Sequence, residues 1–321
     1  MAPNKFYSAE VLQEDNDQLA ELKPTKNEKT QYRWILILFH VYLHMVAVYA
    51  LYVMFTSAKI WTVVSVLIFA ILGMLGVTAG GHRLWSHRSY KATWQLRLIL
   101  VTLQTLAFQD PAIDWARDHR VHHKHSETDA DPYNSKRGFF FSHMGWLYVN
   151  KHPEVIAKGK GIDHSDLFQD RFLVFQKKYY FYVMPIMCFL IPIFLPMYLW
   201  EESFSNAYAI NTLRYLITLH STMAINSVAH RWGNKPYEKN ISPAENFSTT
   251  LLTLGEGWHN YHHAFPQDYK TAELGKHHTN LTTLFIDLME KIGWAYDLKT
   301  TSEEVIKKRV LRTGDGSHAI W

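Results

Sequence analysis

Asp118-His119-Arg120-Val121-His122-His123 packs three imidazoles into five residues, at positions i, i+3 and i+4. On a helix those three share one face. The same H-x-x-H-H spacing returns as His259, His262 and His263 in Trp258-His259-Asn260-Tyr261-His262-His263, and His82-Arg-Leu-Trp-Ser-His87 precedes both. Neutral imidazole is a good ligand for mid-series transition metals, and three clusters hold more of it than one zinc site needs. The economical reading is two metal ions and a metalloenzyme, and the rest of the chain must say where that site sits.

It sits at a membrane. Trp34–Phe55 carries no charged residue, enough chain to cross roughly 30 Å of hydrocarbon at about 1.5 Å per residue. Ile60–Gly80 is a second apolar run, ending just before His82. Tyr179–Trp200 is the third, broken by Pro185, Pro192 and Pro196, which should kink it and free backbone carbonyls for neighbours to satisfy. Tyr208–His230 is a fourth, with Asn211, Arg214, Thr218, His220, Thr222 and Asn226 in it; so polar a helix faces protein or a wet cavity, not lipid. Gln95–Phe108 is too short to cross and reads as an interfacial, re-entrant or buried helix. The expectation is therefore an all-α integral membrane protein, with four transmembrane helices at about 34–55, 60–80, 179–200 and 208–230. Residues 81–178 and 231–321 then form a helical cap on one side, and every histidine cluster falls there. The connections on the opposite face carry Lys59 as their only lysine or arginine, so the capped side is cytosolic by the positive-inside rule.

Composition agrees with this class. The chain has 321 residues, 48% of them hydrophobic and 15% aromatic, which excludes disorder for most of its length. A formal charge of +4, with no aromatic-interleaved basic stripe, argues against nucleic acid. An anionic membrane face suits the basic residues better, including Lys307, Lys308, Arg309 and Arg312 near the end. The single cysteine, Cys188, rules out an internal disulfide and a cysteine-based metal site. Residues 1–33 read as a solvated polar tail without the apolar run of a cleavable signal, leaving 34–321 as one domain.

Nine histidines from four regions are the candidate ligands: His82, His87, His119, His122, His123, His259, His262 and His263 from the clusters, and His230 because it closes the fourth span at their level. His82 and His87 pose a problem, since five residues on an α-helix turn by about 140° and both face inward only if the helix ends or bends. His125, His143, His152, His164, His277, His278 and His318 read as ordinary surface or core residues, and His40 and His44 of the first span as packing or interfacial ones. Asp118, Glu127, Asp129, Asp131 and Glu256 are the acids placed to accept the second N–H of ligating imidazoles. No hydroxyl or thiol nucleophile with an adjacent base stands out, and no phosphate-binding glycine loop is present. Oxidisable metals at a membrane boundary suit oxygen activation against a lipid.

Five strings carry a family resemblance: His82-Arg-Leu-Trp-Ser-His87-Arg-Ser-Tyr, Trp115-Ala-Arg-Asp-His-Arg-Val-His-His-Lys, Glu127-Thr-Asp-Ala-Asp-Pro, Gly138-Phe-Phe-Phe-Ser-His-Met-Gly-Trp and Gly255-Glu-Gly-Trp-His-Asn-Tyr-His-His. In this order they resemble the membrane acyl-CoA desaturases, and their wording is nearest to insect, especially moth, enzymes. The resemblance implies a multi-pass protein of the endoplasmic reticulum membrane with both termini cytosolic and two iron ions (Fe2+) in the cap. It implies dioxygen as co-substrate, and electrons from cytochrome b5 and NADH-cytochrome b5 reductase. The family's ligands fall on the nine histidines above, and a water-mediated one on Asn226.

For the fatty acyl-CoA substrate, the resemblance carries coenzyme A contacts onto Arg117, Asp118 and Lys151. Residues at the bend of an acyl tunnel fall on Gln109, Trp115 and Thr222, and residues near its closed end on Ala70 and Met74. The product is an acyl chain with a new double bond, in general unsaturated fatty acid or pheromone biosynthesis. Tyr133 in Asp131-Pro-Tyr133-Asn134 stands where relatives commonly carry histidine. The alternatives are a fatty acyl hydroxylase on the same scaffold and a non-enzymatic histidine-rich metal-binding membrane protein.

Overall fold

The structure is a computed structural model that describes residues 31–273 and 277–318; residues 1–30 of the expected polar tail and 319–321 lie outside the described residues. Helix α1 is Trp34–Thr56. Its inward stripe, His40, Leu43, Ala47, Ala50 and Val53, recurs every three or four residues, while Leu38, Met45, Val48, Tyr52 and Phe55 point outward and exposed. That outward face is apolar because its solvent is lipid. Helix α2, Ile60–Leu75, runs on through Gly76–Ser86 in π-helical form. The second apolar run therefore does not stop at Gly80: the helix carries His82 inside it.

Helix α3, Trp94–Ala107, is buried on Leu96, Leu100, Gln104 and Ala107 and exposes Trp94, Leu98 and Ile99 on its other face. It touches α2 backbone to backbone at Gly76, where a Cβ would lie 2.1 Å from Gln104 N; only glycine allows that approach. Helix α4 is Ala112–His125. Helix α5 comprises Arg171–Pro185, a π-helical turn Ile186–Leu190 and Ile191–Trp200. It starts eight residues before the apolar run, and Tyr179 breaks its helical geometry with φ −106° and ψ 16°.

The proline expectation is met at Pro192, which has no N–H to offer the Cys188 carbonyl four residues back. Asn211 Nδ2 and Arg214 Nη2 donate to that carbonyl instead, at 3.0 and 2.8 Å. Both belong to α6, Phe204–Ser227. This helix lies against α1, α2 and α5 and buries Asn211, Arg214 and Thr218 completely, so its polar side faces protein. It ends before His230, which a tight turn delivers through Val228 N and Ala229 N, both donating to Ala224 O.

Among the described residues three helices, Trp34–Thr56, Ile60–Ser86 and Arg171–Trp200, are long and apolar enough to cross a membrane; α6 has the length without the apolarity. Beyond it come α7 (His259–Ala264), α8 (Leu281–Lys291) and α9 (Glu303–Thr313). A two-stranded antiparallel pair, Lys91–Ala92 with Ala295–Tyr296, ties this C-terminal part to the segment after α2.

Candidate metal centre

The π-helical stretch solves the His82/His87 problem. With i→i+5 bonding, residues five apart come onto one face, and His87 N donates to His82 O at 3.1 Å. α4 and α7 bring their triplets to the same place, but each triplet splits. His119 and His123 join His82, His87 and His262, while His122 joins His230, His259 and His263. Within each group one ligand nitrogen per residue lies within 4.8 Å of all the others. All nine expected histidines thus fall into two groups of five and four, and the stacked rings of His123 and His263, 4.1 Å apart, join them.

Hydrogen bonding alone does not account for these nitrogens. His262 Nε2 lies 2.9 Å from His82 Nε2 and 3.0 Å from His123 Nε2. His259 Nε2 lies 3.0 Å from His230 Nε2 and 3.2 Å from His263 Nε2. One nitrogen carries at most one proton, so it cannot bond both neighbours as donor. His122 Nε2 is buried with no partner. A cation about 2.0–2.1 Å from each nitrogen satisfies all of them, because ligands at right angles on it stand about 3 Å apart. The donor set fits two metal ions.

Carboxylates fix which nitrogen points inward. His82 Nδ1 faces Glu256 Oε2 at 2.8 Å, His122 Nδ1 donates to Asp131 Oδ1 at 2.8 Å, and His230 Nδ1 to Glu127 Oε1 at 2.9 Å. Each carboxylate leaves the Nε2 lone pair of its imidazole for a metal. Burial opposes ionisation of Glu127, Asp131 and Glu256, yet their histidine, arginine and N–H neighbours hold all three below the usual carboxylate range. Burial first, then the crowd of imidazoles, pushes His119, His123, His259, His262 and His263 well below their usual value. They are neutral ligands at physiological pH.

Of the five acids expected to orient imidazoles, three do so. Asp118 instead pairs with Lys151, and Asp129 is exposed. Sequence reasoning missed Arg83. Fully buried, it donates to Glu256, to Tyr269 O and to the side chains of Asn280 and Thr283, fastening the carboxylate that holds His82. Its one signal was a charge directly after His82, between the two histidines that follow a long apolar run.

A cavity of about 330 Å³ opens against both groups at His82, His119 and His259. Met74, Val77, Leu219 and Met223 form apolar wall, and Arg33, Asp110, Asp118, Lys151 and Glu256 supply its charged groups. Gln109, Trp115, Thr222 and Asn226 line it as well. Gln109 Nε2 donates to Thr222 Oγ1 at 2.9 Å, and the Trp115 ring stacks on His119 at 4.9 Å. Arg117 and Ala70 are not among the lining residues: Arg117 pairs with Asp114 and Asp118 at 3.2 and 3.5 Å, and Ala70 lies one turn before Met74.

Three further histidines assemble elsewhere. His44 Nδ1 donates to His40 O at 2.6 Å, His44 Nε2 meets His220 Nε2 at 3.0 Å, and His220 Nδ1 meets His143 Nε2 at 2.9 Å. The series ends at Ser227 Oγ, 2.8 Å from His143 Nδ1. These rings border a second, outward-facing groove with Val41, Met45 and Val48.

The family model for "Fatty acid desaturase" matches residues 58–299. The chain is 56% identical over 312 residues to the acyl-CoA Delta-9 desaturase of Acheta domesticus, covering 95% of this chain and 87% of that one. It is 49% identical over 323 residues to the acyl-CoA Delta(11) desaturase of Trichoplusia ni, covering 100% and 93%. With the stearoyl-CoA desaturase of Mesocricetus auratus it shares 49% over 290 residues, covering 90% and 81%. A family model over most of the length and relatives near half identity across nearly all of it mean that this chain belongs to the fatty acid desaturase family.

Proposed function

We propose that the chain is an acyl-CoA desaturase whose nine clustered histidines hold two iron ions, with Asn226 acting through a water, and whose cavity receives the acyl chain. The observation that carries this reading is the pair of interleaved imidazole groups opening onto one cavity that is apolar along much of its wall and charged at Arg33, Asp118 and Lys151. Two irons would supply the activation of dioxygen that, with two electrons and two protons, removes two hydrogens from adjacent methylenes and leaves a double bond and two waters.

The protein's part is position. Glu256, Asp131 and Glu127 hold three imidazoles in one tautomer, and Arg83 holds Glu256. The Gln109–Thr222 bond and the Trp115 ring shape the wall beside His119 and direct a flexible chain past it. Met74 is the wall residue that sets how deep the chain runs, with Ala70 a turn behind. Arg33 and Lys151 favour the phosphates of coenzyme A, Arg117 partly neutralises Asp118 behind them, and Asp118 is placed to accept from N–H or O–H groups of the carrier. Relatives carrying Delta-9 and Delta(11) names stand at similar identity, so wall residues, not overall likeness, decide the double-bond position.

The membrane reading has α6 as a fourth span, supported by its 24 residues and its buried polar side. An even number of spans puts both termini and the histidine cap on one side, the cytosol, where cytochrome b5 and its NADH-dependent reductase deliver electrons at the endoplasmic reticulum. Expression in yeast lacking its own fatty-acid desaturase, with double bonds mapped by mass spectrometry after derivatisation, tests the whole reading. New unsaturated acids are expected; hydroxy acids, or no product from an iron-loaded protein fed acids of several lengths, would overturn it.

A further inference from the structure

His40 lies in α1, 5% exposed, on the wall of the cavity that serves the metal centre. Its Nδ1 is 2.9 Å from Leu36 O. A carbonyl only accepts, so the proton is on Nδ1 and Nε2 carries a lone pair. That Nε2 is buried and has no partner. An acceptor buried without a donor is costly, and a ligand that brings one gains the difference. His40 belongs to neither metal group and not to the imidazole series.

Its surroundings indicate which part of a ligand passes it. Arg33, Leu36 and His40 line the cavity from one face of the N-terminal end of α1 and the residue before it, so His40 stands about 10 Å along the axis from the arginine. Trp146, Leu147 and Lys151 approach from the cap, and Arg33 N donates to Tyr148 O, fastening the two walls together. A ligand with phosphates near Arg33 and Lys151 and an apolar chain near Met74 has its linking arm at His40. In an acyl-CoA the acyl chain and the thioester contain no donor, whereas the pantetheine arm contains one hydroxyl and two amide N–H groups. At bond lengths of about 1.5 Å an extended arm sets the amides on the order of 10 Å from the diphosphate and the hydroxyl only about half as far, so the distance from Arg33 to His40 selects an amide.

The geometry points to His40 as a positioning residue that accepts a hydrogen bond from a pantetheine amide N–H and so fixes the depth to which the acyl chain is inserted. The inference rests on the acyl-CoA reading above and adds a contact that reads the carrier, not the chain. His40 touches no reacting atom, so its loss acts on binding and register.

The test compares an acyl-CoA with two analogues, each having one pantetheine amide N–H replaced by oxygen, in wild type, His40→Leu and His40→Gln. In wild type one analogue should raise KM about tenfold with kcat little changed, the worth of one hydrogen bond to a buried acceptor. His40→Leu should show that tenfold with the parent substrate and no further loss with the analogue. His40→Gln, which keeps an acceptor, should recover most of it. Looser register should also spread the double bond of the His40→Leu product over neighbouring carbons. Equal KM for parent and both analogues in wild type would overturn the inference, and that arm needs no variant to fold. An unchanged KM in His40→Leu, or an equal loss with every substrate, would overturn it too. Failure of wild type to convert any acyl-CoA would overturn the desaturase reading and this inference with it, and shows as absent turnover instead of lost discrimination.

Discussion

Two histidine assemblies share this molecule and do opposite things with the same side chain. In the metal centre nine rings each aim one nitrogen into one of two groups, of five and of four, and carboxylates take the other side of several of them. In the His44–His220–His143 series the middle ring spends both nitrogens on its neighbours, and the ends close on His40 O and Ser227 Oγ. Taking His44 Nδ1 as the donor to His40 O makes its Nε2 an acceptor from His220, whose Nδ1 in turn accepts from His143 Nε2, while the Ser227 hydroxyl donates to Met223 O at 2.9 Å. Convergence leaves lone pairs that need a cation; a series pairs its nitrogens ring to ring. Counting histidines does not separate the two, because direction does.

The largest break in that contrast comes from deleting one ring on each side. His122→Ala or His262→Ala should abolish desaturation, by a thousandfold or more, and lower the bound iron measured by elemental analysis, whereas His143→Ala should leave both near wild type. Iron lost equally in all three would make the series part of the centre. Next come the groups behind the ligands. Asp131→Asn and Glu256→Gln should weaken metal affinity about 10–100-fold, read by competition with a chelator, while Ser227→Ala at the end of the series should not.

The cavity wall gives a smaller and different effect. Met74→Ala should leave metal content alone and lengthen the preferred acyl chain or move the double bond, visible in the product profile; an unchanged profile would remove Met74 from the wall that measures the chain. The smallest effect concerns Glu245, whose carboxylate accepts from Tyr261 N at 2.7 Å between two ligands of α7 and which burial pushes up to about 8. A carboxyl raised in the folded state binds its proton more tightly there. Its contribution is complete below about pH 4.5 and is lost as pH rises towards 8. Glu245→Gln should therefore flatten the decline of thermal stability over that range, a matter of several degrees in Tm. A decline as steep as wild type would assign it to another group.

Much of the centre was legible because it rests on short-range spacing. His119/His123 and His259/His263 are i, i+4 pairs, and an α-helix delivers them without help from the rest of the fold. Their division into five and four was not legible, since it depends on how α4 and α7 meet in space. Nor was the junction of His82 with His87, because no local pattern announces a π-helical stretch. Which acids serve was open for the same reason: Asp131 sits nine residues from His122, but Glu127 is 103 from His230 and Glu256 lies 173 beyond Arg83. Tyr133 sharpens the point. Its backbone N–H donates to Asp131 Oδ1, a bond any residue there can make, so Tyr133→His should preserve metal content; a loss would show that the phenol ring, 5.5 Å from His122, matters in itself. The series was illegible because His44 and His220 are 176 residues apart and each alone reads as packing.

Arg214 has a consequence for how the chain is put together. Its guanidinium is fully buried and held by Leu106 O of α3, Cys188 O of α5 and Asn211 of its own helix. Alone in hydrocarbon an arginine at mid-helix costs about 2.5–3.5 kcal/mol on insertion scales, so α6 is a poor autonomous passenger into a membrane. Both distant acceptors lie earlier in the chain and are already made when α6 is synthesised. The Cys188 carbonyl left bare by Pro192 is thus a docking point for a helix made later in the chain, and the buried arginine ties α6 to α3 and α5.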